Sequence, residues 1–103
     1  MKLKDIAAVI RSKNSGPYEL TLDVMLPTDE LFEKVRTADI INVKTIAGLY
    51  HLEEKDVISV LEFPKARAIK ATIVRPLASG ALGERDVYGA QQHVPLMELE
   101  VNL

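Results

Sequence analysis

The stretch that most constrains the fold is ELTLDVML, residues 19–26, where side chains of two kinds alternate without a break. Leu20, Leu22, Val24 and Leu26 fall on one side of an extended chain, and Glu19, Thr21, Asp23 and Met25 on the other. Successive strand side chains point to opposite faces, so this period of two predicts a half-buried strand. Pro27 then stops it. A second alternation, RAIKATIVR over residues 67–75, sets Ile69, Ala71 and Ile73 against Ala68, Lys70, Thr72 and Val74, and Pro76 ends it.

The remaining elements are arranged around these two. Residues 5–11, with Ile6, Val9 and Ile10, predict a strand buried on both faces, and VISVLEF, residues 57–63, predicts another. Residues 96–102 alternate a third time, with Met97, Leu99 and Val101 expected inward and Glu98 and Glu100 outward. Between the strands, Thr28 is placed to cap a helix whose first turn holds Asp29 and Glu30. Leu31, Val35 and Ala38 follow at helical spacing, with Phe32 beside them. Asn42 is placed to cap a second helix with an apolar stripe of Val43, Ile46, Ala47 and Tyr50, which Gly48 weakens slightly. The order strand, strand, helix, helix, strand, strand, long loop, strand predicts an α+β protein: a mostly antiparallel sheet of four to five strands with two helices on one face.

At 103 residues the chain is expected to form one domain, 1–103, and at 48% hydrophobic residues it can fill a core. It has no cysteine, which excludes a disulfide framework, a thiolate nucleophile and a Cys-based zinc site, and suits a cytoplasmic location. A net charge of −2, no basic block and 5% aromatics argue against a nucleic-acid partner. No apolar run approaches the roughly 20 residues that span a bilayer, so no membrane partner is expected. The opening MKLKDIAAVIRSK lacks a small-residue cleavage pattern and reads as a strand and not as a signal peptide.

Two polar stretches stand out. RSKNSGPYE, residues 11–19, offers Arg11, Ser12, Lys13 and Asn14 from one hairpin tip, with backbone N–H groups near Gly16. Arg and Asn suit a planar carboxylate. Ordinary turn chemistry also accounts for Asn, Ser, Gly16 and Pro17, since Gly reaches unusual backbone angles and Pro fixes the next one. ERDVYGAQQHVPL, residues 84–96, gathers Arg85, Asp86, Tyr88, Gln91, Gln92 and His93. His93 is the proton-transfer candidate, oriented by Asp86 or Tyr88, while Gln91 and Gln92 can hydrogen-bond a polar ligand. A loop histidine among polar neighbours is also a common structural hydrogen-bonder. His51, near the end of the second helix, reads as a cap. The run Glu53, Glu54, Lys55, Asp56 reads as solvated surface, with no metal expected. SGALG, residues 79–83, lacks the spacing of a phosphate-binding loop.

The segments KDIAAVIRSKNSGPYELTLDV, FPKARAIKATIVRP and DVYGAQQHVPLMELE carry a resemblance. The chain resembles small, uncharacterised bacterial proteins of roughly this length that occur beside acyclic terpene utilisation (AtuA-like) proteins. It is also similar, more distantly, to the C-terminal domain of the large AtuA-like proteins. Asp5, Ile6, Ala7 and Arg11 to Asn14 fall on that domain's opening strand and loop, and Leu96 to Val101 on its ending. The GDKG core of its loop is replaced here by Lys-Asn-Ser-Gly. The resemblance implies a ferredoxin-like sandwich. Polar residues carry the likeness in both polar stretches, which implies a binding role for them. They would form one polar site if the sheet brings Arg11 and His93 to the same edge.

Three functions follow as expectations. In the first, the chain is a small subunit of an AtuA-like large protein in catabolism of an organic acid or acyl-CoA, contributing a polar anion site and presenting exposed apolar residues such as Met25 and Phe32 at the interface. In the second, it is a homo-oligomeric lyase or hydratase acting without a cofactor: Arg11 and Lys13 hold a carboxylate, and His93 with Asp86 or Tyr88 moves the proton. In the third, it is a ligand-sensing or self-associating module.

Overall fold

The computed structural model describes residues 1–16, 18–74 and 94–103. The elements are α1 (Leu3–Ile6), β1 (Val9–Asn14), β2 (Glu19–Met25), α2 (Asp29–Thr37), α3 (Val43–Leu49), β3 (Val57–Phe63), β4 (Ala68–Val74) and α4 (Val94–Met97). The four strands form one antiparallel sheet in the order β1-β2-β4-β3. This is the α+β architecture expected, compatible with a ferredoxin-like sandwich. The chain path is two hairpins, β1–β2 and β3–β4, bracketing the helices and joined through the β2–β4 ladder.

The alternation in β2 and β4 decides which face the helices cover. Leu20, Leu22 and Val24 lie beside Ile73, Ala71 and Ile69 in the β2–β4 register. All six are buried, in one core with Phe32 and Val35 of α2, Ile46 and Ala47 of α3, Leu3, Leu96 and Val101. Phe32 is only 2% exposed, so it is a core residue and not the interface residue the sequence suggested. It shares with Val35 the inward stripe of α2, one turn apart.

Both long helices start where their caps predict. The Thr28 hydroxyl accepts the Leu31 N–H at 3.1 Å, and Asn42 Oδ1 accepts the Thr45 N–H at 2.8 Å. Asp29 and Glu30 occupy the positive end of α2, and Lys34 and Arg36 its last turn. His51 does sit at the end of α3, but the closing bonds are backbone ones, Tyr50 N–H to Ile46 and Leu52 N–H to Ala47 at 2.9 Å. They require His51 at φ 56°, the left-handed position that usually takes glycine. At the other hairpin, Gly16 adopts φ 144° as Ser15 N–H reaches the Glu19 carbonyl at 3.1 Å.

Two predicted strands are corrected. Residues 5–11 are not one strand: Leu3–Ile6 form a helical turn and β1 begins at Val9. The Asp5 carboxylate accepts the Lys2 N–H at 2.8 Å, which closes that turn. Residues 96–102 are not a strand either. Val94–Met97 are helical, and only Glu100 makes a bridge, to Lys2. Leu96, 1% exposed, is drawn into the core, and the Leu99 N–H turns back to its carbonyl at 3.2 Å. Val101 is buried as expected, while Met97 and Leu99 are half-buried. The chain ends are tied by Leu3 N–H to Leu99 O and Val101 N–H to Met1 O, both 2.8 Å, and by Lys2 and Lys4 on the Glu98 carboxylate. Pro17 and residues 75–93, most of the predicted long loop, lie outside the described residues. Among the described residues no helix is long and apolar enough to cross a membrane.

The left-handed positions give opposite expectations for glycine. A Cβ at Gly16 would meet no atom within 4 Å, so the cost of Gly16→Ala is conformational only. It should lower unfolding free energy by roughly 1 kcal/mol, and His51→Gly should raise it by up to about 1 kcal/mol. Urea denaturation of the two variants measures both signs.

The Glu98 tie gives a pH dependence. Hydrogen bonds from Lys2, then Lys4, hold the Glu98 pKa below its ordinary 4.5, and the bond to Glu98 raises that of Lys2 above 10.5. A depressed carboxylate contributes stability above its unfolded pKa and loses it as pH falls through the folded one; the raised lysine loses its share only as pH rises past 10.5. Glu98→Gln should therefore speed hydrogen exchange at the Leu3 and Val101 amides near neutral pH. After correction for intrinsic exchange, the difference from wild type should shrink as pH falls through and below the ordinary carboxylate range.

Candidate functional site

The sheet is layered on one side only by the helices of the described residues, and its other face is where cationic side chains collect. Cross-strand partners in a ladder share a face, so the register lays out that face in rows. One row is Val9, Met25, Ala68 and Phe63; the next is Arg11, Asp23, Lys70 and Leu61; the third is Lys13, Thr21, Thr72 and Ser59. The first is apolar, the second mostly charged, and the third adds one more cation to three hydroxyls.

Asp23 is the unusual member. It sits mid-strand in β2, between two paired neighbours, and is 6% exposed. A carboxylate so buried needs a partner. Arg11 supplies it, Nε to Oδ2 at 3.0 Å, from a guanidinium that is half exposed. Thr21, also buried, donates its hydroxyl to the Lys13 carbonyl at 3.2 Å. Both faces of β2 are thus buried, where the alternation predicted a half-buried strand.

Lys13 and Lys70 have no ion-pair partner among the described residues. With Arg11 and Asp23 they rim a depression of about 230 Å³ whose apolar side is Met25, Ala68 and Phe63. Larger depressions, of about 410 and 490 Å³, open elsewhere. Several of their polar groups are used by the fold. Asp39 and Asn42 bond each other at the start of α3, and Asp29 and Glu33 pair with Arg67 and Arg36. Among the described residues no group of His, Cys, Asp and Glu is arranged to hold a metal ion.

The sequence-predicted residues divide across the sheet. Arg11 and Lys13 belong to β1 and not to a hairpin tip, and they share the open face. Ser12 and Asn14 alternate with them and lie on the helix side, opposite Leu22 and Leu20. Ser12 is 5% exposed. Gly16 serves the turn through its backbone angle. Asp86, Tyr88, Gln91, Gln92 and His93 lie outside the described residues, and with them the expected meeting of Arg11 and His93. Asp23, Lys70 and Phe63 were not singled out by sequence. The signal was present in the alternation, which already puts Asp23 and Lys70 off the core face; it does not reveal that β2 and β4 are neighbours.

Tyr50 is the other notable polar side chain in the helix layer. Burial pushes its hydroxyl pKa up, against a weaker opposing effect of a hydrogen bond with the Leu96 backbone. It joins α3 to α4 and contributes nothing to the open face.

Comparison with known proteins places the chain. Residues 3–100 match the family model described as "Domain of unknown function (DUF4387)". The chain belongs to this family. Neither a curated protein nor a solved structure matches it. For this DUF4387 chain the site rests on its own geometry, chiefly the Arg11–Asp23 pair.

That pair gives a prediction about stability. Removing Arg11 strands a buried carboxylate, whereas removing both charges does not. Arg11→Met should cost about 1–2 kcal/mol, reduced by the guanidinium's exposure, and Arg11→Met with Asp23→Leu should recover part of it. A urea double-mutant cycle measures the coupling.

Proposed function

We propose that this chain is a small subunit that pairs with an AtuA-like large protein in the breakdown of an organic acid or acyl-CoA, contributing an anion site from its open sheet face. The observation that carries this reading is the composition of that face. Leu61 is 51% exposed, Phe63 44% and Val9 40%, beside three cations, Arg11, Lys13 and Lys70, and one carboxylate, Asp23. Exposed apolar side chains rimmed by charge mark interaction surfaces more often than free surface. The resemblance of the chain to small proteins found beside AtuA-like proteins names the partner. The anion role follows from Lys13 and Lys70, which the fold does not neutralise. Residue classes for proton transfer, His93 with Asp86 or Tyr88, remain the reaction candidates in this assembly.

Co-expression with the neighbouring large protein, followed by size-exclusion chromatography with light scattering, tests the reading. A stoichiometric complex is expected. Leu61→Asp with Phe63→Asp should weaken it by at least about tenfold, as loss of a central apolar anchor does. A stable homo-oligomer that ignores the large protein would overturn the subunit reading in favour of a self-sufficient lyase or hydratase.

A further inference from the structure

The same face discriminates between the two ligand classes just named. This inference rests on the reading of the open face as an anion site, and it chooses the ligand. Arg11 is committed to Asp23, so the cations left for a ligand are Lys13 and Lys70, on opposite sides of β2. Thr21, opposite Lys13, already donates its hydroxyl to Lys13 O, and Asp23, opposite Lys70, is held by Arg11. A ligand there gains charge attraction from two ammonium groups, each a mobile point charge on a long stem. On the adjoining row Met25, Ala68 and Phe63 present only apolar atoms, and Phe63 is 44% exposed. A second anionic group placed on that row would be desolvated with no counter-charge.

Size narrows the class further. A depression of about 230 Å³ is small beside the usual 300–1,000 Å³ of ligand pockets. A space of this size suits a small organic acid better than a bulky ligand. The acyl group of a CoA thioester has no terminal anion to offer the lysines, and the nucleotide carries several charges that the row of Met25, Ala68 and Phe63 cannot match. We infer that the open face binds a small free monocarboxylate with an apolar chain. Its carboxylate lies toward Lys13 and Lys70 and its chain across Met25, Ala68 and Phe63.

Hexanoate is the probe. The full chain, ¹⁵N-labelled, is titrated with hexanoate, acetate, 1-hexanol and hexanoyl-CoA, and amide shifts on β1, β2 and β4 are followed. Hexanoate should saturate, with acetate and hexanol each weaker by about tenfold, because each lacks one of the two contacts. Lys13→Gln and Lys70→Gln should each weaken hexanoate by about three- to tenfold and leave the urea midpoint unchanged. Phe63→Ser should weaken hexanoate and not acetate. Hexanol binding as well as hexanoate would overturn the inference, leaving an apolar patch only. So would indifference to both lysine variants, tighter binding of hexanoyl-CoA, or saturation only by an acidic peptide. Complex formation with the large protein is scored separately. A complex without hexanoate binding sinks the ligand and spares the subunit; hexanoate binding without a complex does the reverse.

Discussion

β2 is paired along both edges and buried on both faces, and the rest of the described structure is arranged to make that tolerable. Its edges are satisfied by β1 and β4. Its even-numbered side chains belong to the core shared with the helices, and of its odd-numbered ones Thr21 and Asp23 are buried on the other face. An apolar strand could be buried this way at no electrostatic cost. This one carries Asp23, so a cation has to reach it from the neighbouring strand, and Arg11 does. The register Arg11↔Asp23 follows from the hairpin, which turns through Gly16; a slip of one residue would send Arg11 to the helix side and leave Asp23 alone.

The open face acquires its character from the same constraint. Compensating one buried carboxylate requires one cation, and the face holds three, in Arg11, Lys13 and Lys70. The two in excess add nothing to folding, since like charges near each other raise the energy of the folded state. Their presence beside Phe63 and Leu61, both well exposed, is more economically explained by a partner or ligand than by stability. The helix layer shows the contrast. There the polar residues have local duties, as Thr28 and Asn42 cap helices and Tyr50 bridges α3 to α4.

Much of this was legible before any coordinates. Residues 19–26 and 67–75 could only be strands, and Thr28 and Asn42 could only be starts of helices, because period and capping are local properties. The failures lie at the chain ends. Residues 5–11 and 96–102 have strand-like composition, yet the Asp5 bond to the Lys2 amide and the pull of Leu96 into the core turned both into helical turns. Phe32 was misplaced for a related reason: the helical stripe was read from Leu31, Val35 and Ala38, and only packing shows that its centre runs through Phe32 and Val35.

The sequence by itself determined the α+β class, which side chains of β2 and of β4 share a face, and the presence of Arg11 and Lys13 in a polar stretch. Each of these depends on neighbours within a few positions, where backbone geometry leaves few choices. Only the tertiary structure decided that β2 and β4 lie side by side, which brings Asp23 and Lys70 into one row with Arg11 although Lys70 belongs to the other hairpin. It also decided that Ser12 and Asn14 turn away from that row. Strand order is a long-range outcome, set by which apolar faces can share one core, and no local pattern encodes it.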